Sequence, residues 1–171
     1  AVKFVKKRGY MMQNAVPAGA GKMAAIIGLD EPKVREACAE ASDKGIVECA
    51  NFNCPGQIVI GGEAEAVTLA CEKAKAKGGK IFPLAVSVPS HTSMLKEVSS
   101  RLASELDLCE IKDPSIKFLS NVKGDFACDA GEIKSLLADQ VMKPVLWQNI
   151  ISKMIEDGIT TFIEVGPGKV L

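Results

Sequence analysis

Apolar residues recur along this chain with two alternating periods. Residues 1–13 carry Val2, Phe4, Val5 and Met12 among Lys3, Lys6, Lys7 and Arg8, which predicts a helix with one buried face. Residues 14–21 hold a proline and two glycines and predict a loop. An apolar run at 23–29 then predicts a strand. Asp30 is placed to cap the next helix, with Pro32 tolerated in its first turn. Val34, Ala37, Cys38 and Ala41 recur at helical spacing to about residue 44. Strands are predicted at 46–52 and 57–62, joined by an Asn-Cys-Pro-Gly turn. A helix over 63–77 ends at Gly78 and Gly79, and a strand follows at 80–86. Pro83 points to an edge position or irregular pairing there. The order β-α-β-β-α-β is that of a ferredoxin-like unit.

The second half reads differently. Ser90 is placed to cap a helix whose apolar face is Met94, Leu95, Val98, Leu102 and Leu106. Residues 116–122 alternate as a strand, and 132–141 read as a helix. Pro144 opens another helix, with Trp147, Ile150, Ile151, Met154 and Ile155 on one face and Gly158 at its end. A strand is predicted at 159–166. Helix and strand alternate here as in an α/β layer with a parallel sheet. The expected organisation is a ferredoxin-like subdomain at 22–87 inside an α/β body, made of 1–21 and 88–171. That body has too few strands to cover its helices. Residue 1 falls inside a helical pattern with no cap before it, and the chain stops just after a Gly-Pro-Gly turn. A piece of a longer protein, cut at both ends, is the expectation.

Length and composition narrow the classes. A chain of 171 residues makes one domain with a small insertion. Folding at this size buries roughly 70% of the extended surface, so no disulfide or metal staple is needed. Lys and Arg total 21 and Asp and Glu total 21, with no basic stripe of the kind nucleic-acid binders carry. No apolar run approaches the ~18 residues of a membrane span. Residues 1–10 are basic and amphipathic, unlike a secretory leader. None of the six cysteines pairs as Cys-x-x-Cys, and one histidine cannot complete a Cys/His zinc site. This spacing points to a reducing cytoplasm and to no metal.

Two Gly-Lys pairs imitate a phosphate loop and fail it. That loop needs a glycine five residues before the Gly-Lys glycine and Ser or Thr after the lysine. Val16 and Met23 occupy those positions around Gly21-Lys22, and Ile163 and Val170 around Gly168-Lys169. No serine sits in a Gly-x-Ser-x-Gly elbow. A cysteine nucleophile has no support from the neighbouring residues.

Three places remain. His91 is the only histidine and ends the stretch Val-Ser-Val-Pro-Ser-His. One reading is a packed structural histidine. The other is a general base at a strand end, kept neutral by the first turn of a helix. Arg8 is either one more solvated charge or a carboxylate fork, since a guanidinium offers two parallel hydrogen bonds. Asn51 to Gln57 is either turn chemistry or a ligand lining.

Taken together, "RGYMMQNAVP", "MAAIIGLD", "NFNCPGQIVIGG", "VSVPSH" and "EVGPGKVL" resemble, in order and spacing, the malonyl-CoA:acyl carrier protein transacylases of bacterial fatty acid synthesis. The resemblance runs from Lys7 to Leu171. It implies an α/β-hydrolase-like body with an inserted ferredoxin-like subdomain. It implies that an elbow serine attacks the malonyl thioester, a histidine takes its proton, and the phosphopantetheine thiol of acyl carrier protein collects the malonyl group. The family's histidine falls on His91 and its carboxylate-binding arginine on Arg8. The glutamine whose backbone carbonyl orients the histidine falls on Gln140, although Lys143 stands where many members have asparagine. Met12, Asn53 and Ser90 are candidates to line the pocket. The resemblance implies malonyl-CoA and acyl carrier protein as partners and no cofactor beyond these thioester carriers. It puts the elbow serine before residue 1 and the last helix of the body after residue 171. Two alternatives stay open: an acyltransferase domain of a polyketide-type synthase, and a ferredoxin-like binding module without chemistry.

Overall fold

Strand β1 (Gly21–Ile27) has four successive buried residues because both of its faces are covered. Ala24 and Ile26 point to one side, into a core shared with α2 (Glu31–Ala39) and α3 (Ala64–Ala76). Met23 and Ala25 point to the other and pack with Ala50 and Val59. This is the two-residue period of a strand, hidden in sequence because neither face is polar. Strands β2 (Val47–Cys54), β3 (Gln57–Glu63) and β4 (Lys80–Pro83) complete an antiparallel sheet of order β2-β3-β1-β4.

The local signals that position the two helices are plain. Asp30 accepts from the Lys33 N–H at 3.2 Å and caps α2, with Pro32 in the first turn. Ala66, Val67, Ala70 and Ala74 form the buried stripe of α3, small enough for close packing on the sheet. Gly62 has φ 156°, and a Cβ there would collide with the Ile46 carbonyl, so the β2–β3 pairing depends on that glycine. β4 ends at Pro83, short of the 80–86 expected, and after it one further bond, Leu84 N–H to Met23 O at 3.0 Å, still ties the chain to β1.

A helical layer stands against this sheet. It comprises α1 (Val2–Gln13), α4 (Lys96–Asp107), α5 (Ala130–Asp139) and α6 (Trp147–Glu156). Leu95, Val98, Leu102 and Val141 form its core, with Phe4, Met11, Met12, Val88 and Met142 packed on it. Two backbone bonds join the layer to β2: Phe52 N–H to Val145 O at 2.8 Å and Val145 N–H to Ala50 O at 2.9 Å.

The structure is a computed structural model that describes residues 1–165. Several expectations for the second half are corrected. Ser90 caps no helix: a single tight turn at Ser93–Leu95 precedes α4, which starts at Lys96. Pro144 precedes its helix by three residues, since α6 starts at Trp147. The strand expected at 116–122 shrinks to β5 (Phe118–Ser120), paired antiparallel with β6 (Asp125–Ala127). Residues 159–165 are not a strand, because no described strand lies beside them to complete a ladder. The parallel sheet expected here is therefore not found among the described residues. Residues 166–171, with the Gly-Pro-Gly-Lys turn and the end of that expected strand, lie outside the described residues. Among the described residues no helix is long and apolar enough to cross a membrane. All six cysteines are free thiols.

Candidate active site

His91 is held in an unusual backbone conformation. Its φ is 64°, which makes it the only non-glycine residue with positive φ among the described residues. Such a conformation costs on the order of 1–3 kcal/mol and persists only where the surroundings over-determine it. They do so here. The His91 N–H donates to Val141 O at 2.8 Å. Thr92, fully buried, donates its hydroxyl to Pro89 O at 2.7 Å. Ser93 donates its N–H and its hydroxyl to the two carboxylate oxygens of Glu48, at 2.7 and 2.8 Å. The corner is thus clamped from the segment just after α5, from its own turn and from β2.

The imidazole is oriented by a helix end. Gln140 is the C-cap of α5, and its carbonyl lies 2.7 Å from His91 Nδ1. Carbonyls in the last turn have no partner within the helix and carry the negative end of its dipole. A carbonyl only accepts, so Nδ1 carries the proton and Nε2 of the neutral ring keeps its lone pair. Burial pushes His91 below its usual value, and the Arg8 charge adds to this. The Gln140 and Lys143 backbone contacts act in the opposite direction. The neutral ring expected from a helix N-terminus is therefore traced to burial instead, since α4 begins five residues later.

Arg8 reaches the same residue from α1. Its Nη2 lies 3.4 Å from Gln140 Oε1, a long contact. Its Nε is buried with no hydrogen-bond partner. Burial pushes the guanidinium below its usual value, though a group that titrates so far above neutrality stays charged. A buried donor without an acceptor costs about 1–3 kcal/mol. The chemistry that removes this cost is an anion with two oxygens in one plane, a carboxylate above all.

Gln140 is the residue the two share. Its carbonyl meets His91, its amide oxygen meets Arg8, and its amide nitrogen donates to Asn121 Oδ1 at 3.1 Å. His91 borders a cavity of about 460 Å³ with Cys38, Cys49, Glu48, Ser93 and Lys143. Arg8 and Gln140 border another of about 520 Å³ with Phe4, Leu106, Ile111 and Leu137. Met12, Asn53 and Ser90 line neither of these: Met12 packs on the α4 core, Asn53 sits half-buried on β2, and Ser90 bonds its N–H to Val88 O at 2.8 Å. The neighbouring Cys49 and burial push the Cys38 thiol up, which is poor preparation for a nucleophile. Among the described residues no group of three His, Cys, Asp or Glu side chains is placed to hold a metal ion.

Asn121, Glu48 and Ser93 carry no mark in the sequence. Asn121 lies inside a stretch that alternates like a strand, and the Glu48–Ser93 clamp joins positions 45 residues apart. Neither leaves a local signal.

Comparison with known proteins places this geometry among relatives. The model of the acyl transferase domain family matches residues 1–171. The malonyl CoA-acyl carrier protein transacylase of Bacillus subtilis is 46% identical over 173 residues, which cover 100% of this chain and 55% of that protein. The crystal structure of the malonyl CoA-acyl carrier protein transacylase from Clostridium perfringens superposes with a TM-score of 0.95 at 47% identity, covering 98% of this chain and 53% of that one. A malonyl-transacylase solved in complex with its type II polyketide acyl-carrier protein gives a TM-score of 0.95 at 41% identity, over 98% of this chain and 54% of that one. The chain thus spans about half the length of the relatives it matches.

Proposed function

The chain belongs to the acyl transferase domain family, and from that premise we propose that it carries the base and the carboxylate-binding half of a malonyl transfer site. The observation that carries the proposal is Gln140, which orients the His91 imidazole by its carbonyl and meets the Arg8 guanidinium by its side chain.

In this reading a serine from the remainder of the fold bonds to the thioester carbonyl carbon of malonyl-CoA. Its proton passes to His91 Nε2, the C–S bond breaks, and the thiolate of CoA leaves with that proton. The phosphopantetheine thiol of acyl carrier protein then attacks the malonyl-serine ester by the same steps, and His91 takes the thiol proton. Nδ1–H on the Gln140 carbonyl keeps the ring in the tautomer this needs. Arg8 pairs with the free carboxylate of the malonyl group and so holds the carbonyl at a fixed distance from the serine. The names of the relatives support malonyl-CoA and acyl carrier protein as partners, and the carrier complex supports the second.

The structural frame belongs to the same proposal. We read residues 22–87 as a ferredoxin-like subdomain, supported by the order β4-β1-β3-β2 and by α2 and α3 on one face. We read 1–21 and 88–171 as parts of an α/β-hydrolase-like body. Six free thiols fit a reducing cytoplasm. A polyketide-type synthase would use the same chemistry. A binding module without chemistry would leave both the left-handed His91 and the orphaned Arg8 Nε without a reason.

The test is intact-mass analysis of the full-length protein mixed with malonyl-CoA and holo acyl carrier protein. A malonyl ester on a serine outside these 171 residues, passed on to the carrier thiol, is expected. A stable malonyl ester within them would overturn this division of roles.

A further inference from the structure

We propose that Asn121 is a positioning residue that fixes which way the Gln140 side-chain amide faces, and thereby the acceptor that Arg8 meets; the proposal rests on the malonyl transfer reading above. The argument is one of donors and acceptors. A guanidinium only donates, so Arg8 needs the oxygen end of the Gln140 amide. The flipped amide would turn an NH2 group toward the cation and add a second unpaired donor beside Arg8 Nε. The Arg8 contact is long, at 3.4 Å, and the two ends of an amide are nearly the same size and shape, so the cation holds this orientation only weakly by itself. Asn121 supplies the second hold, since its Oδ1 accepts from Gln140 Nε2 at 3.1 Å and so keeps Oε1 turned toward Arg8.

Asn121 is itself anchored through backbone rather than side chain. Its carbonyl accepts from the Leu146 N–H at 2.7 Å. It follows Ser120, which is buried and accepts from the Gly124 N–H at 2.7 Å through its own carbonyl. A substitution at 121 therefore removes the amide contact and leaves the β5–β6 turn its bonds. The His91 contact also runs through backbone, from Nδ1 to the carbonyl that ends α5. Freeing the amide loosens the cation far more than the imidazole. The expected signature is a loss of selectivity for the carboxylate, with the His91 titration in place.

The experiment compares Asn121→Leu, Asn121→Ser and Asn121→Asp in the full-length protein, with malonyl-CoA and acetyl-CoA as donors. Leu removes the acceptor, the Ser hydroxyl is too short to reach, and Asp keeps an oxygen in place. Asn121→Leu and Asn121→Ser should each cut kcat/KM for malonyl-CoA about tenfold more than for acetyl-CoA, mainly through KM, as expected when a hydrogen bond in a charged network is lost. Asn121→Asp should restore most of the difference. In an Arg8→Ala background the same substitutions should change selectivity no further. Equal losses for both donors, failure of Asp to rescue, or losses that multiply with Arg8→Ala would overturn the proposal. The Gln140 side-chain amide protons supply a readout independent of turnover. They should exchange slowly in the wild type and in Asn121→Asp, and quickly in the other two. If the wild type transfers no malonyl group, the functional reading fails by itself, and this exchange measurement decides the Gln140–Asn121 contact: unprotected protons in the wild type would refute it.

Discussion

The Nδ1 atom of His91 lies 2.7 Å from the main-chain carbonyl of Gln140, so a helix end orients this imidazole where a carboxylate side chain often would. The difference has a charge consequence. A carboxylate would raise the affinity of the ring for protons strongly, whereas a carbonyl fixes the tautomer with a partial charge. Burial and the Arg8 charge then prevail and push the ring below its usual value. The imidazole stays neutral at neutral pH, with no buried carboxylate on Nδ1 to stabilise its protonated form.

A dependence of stability on pH follows, and its sign is fixed. With the folded value below the 6.5 of a free imidazole, the unfolded chain binds more protons wherever the two differ. The contribution of His91 is complete above that value and is lost as pH falls through it toward the lower folded value. Denaturant unfolding should show stability falling with pH in this window, and His91→Gln should flatten the fall. NMR titration of the single imidazole should give a value below 6.5. A value above it would refute the burial argument.

The left-handed backbone at His91 decides which small replacement the corner tolerates better. A Cβ in that region costs about 1–2 kcal/mol, and glycine escapes the cost. His91→Gly should therefore be more stable than His91→Ala by about 1 kcal/mol, against the usual order for a non-helical pair. Urea midpoints of the two variants measure this. The reverse order would mean that the corner relaxes and stores no strain.

How much could be read in the sequence depended on whether a signal was local. Asp30 and Pro32 mark the start of one helix and Gly78 and Gly79 the end of the next, each within a turn, so the β-α-β-β-α-β succession could be read locally. The corner at Ser90 and His91 misled for the same local reason: Ser-His-Thr-Ser has the composition of a helix cap, yet Thr92 turns its hydroxyl back to Pro89 O, and the helix waits until Lys96. Residues 159–165 alternate as a strand should, but a strand is a property of pairs, and no described partner adjoins them. His91 stands out as the lone histidine, whereas Arg8 reads as one more surface charge until the family resemblance singles it out, and Gln140 is reached through that resemblance alone. That His91 and Arg8 converge on Gln140, one on its carbonyl and one on its side chain, with Asn121 behind it, depends on contacts up to 132 positions apart, which no local pattern encodes.

Arg8 should destabilise the protein that contains it when no anion is bound. Its Nε is buried without a partner, and its contact with Gln140 is long. Replacing a poorly paired buried charge by an apolar side chain of similar length is often neutral or stabilising. Arg8→Met should raise the thermal midpoint or leave it unchanged while abolishing selectivity for malonyl. A fall in Tm of several degrees would show that the guanidinium serves the fold.

The proposed site depends above all on the pairing of Arg8 with a carboxylate. The direct measurement is kcat/KM for malonyl-CoA and for acetyl-CoA in full-length protein carrying Arg8→Ala or Arg8→Lys. Loss of a buried, hydrogen-bonded charge partner should cost malonyl transfer about 2–5 kcal/mol in Arg8→Ala. Acetyl transfer should not fall in parallel, because acetyl has no carboxylate to lose its partner. Arg8→Lys should recover only part of the malonyl rate, since an ammonium cannot make two parallel bonds. Equal losses for both donors would contradict the account and leave Arg8 a structural residue or a contact for the CoA moiety.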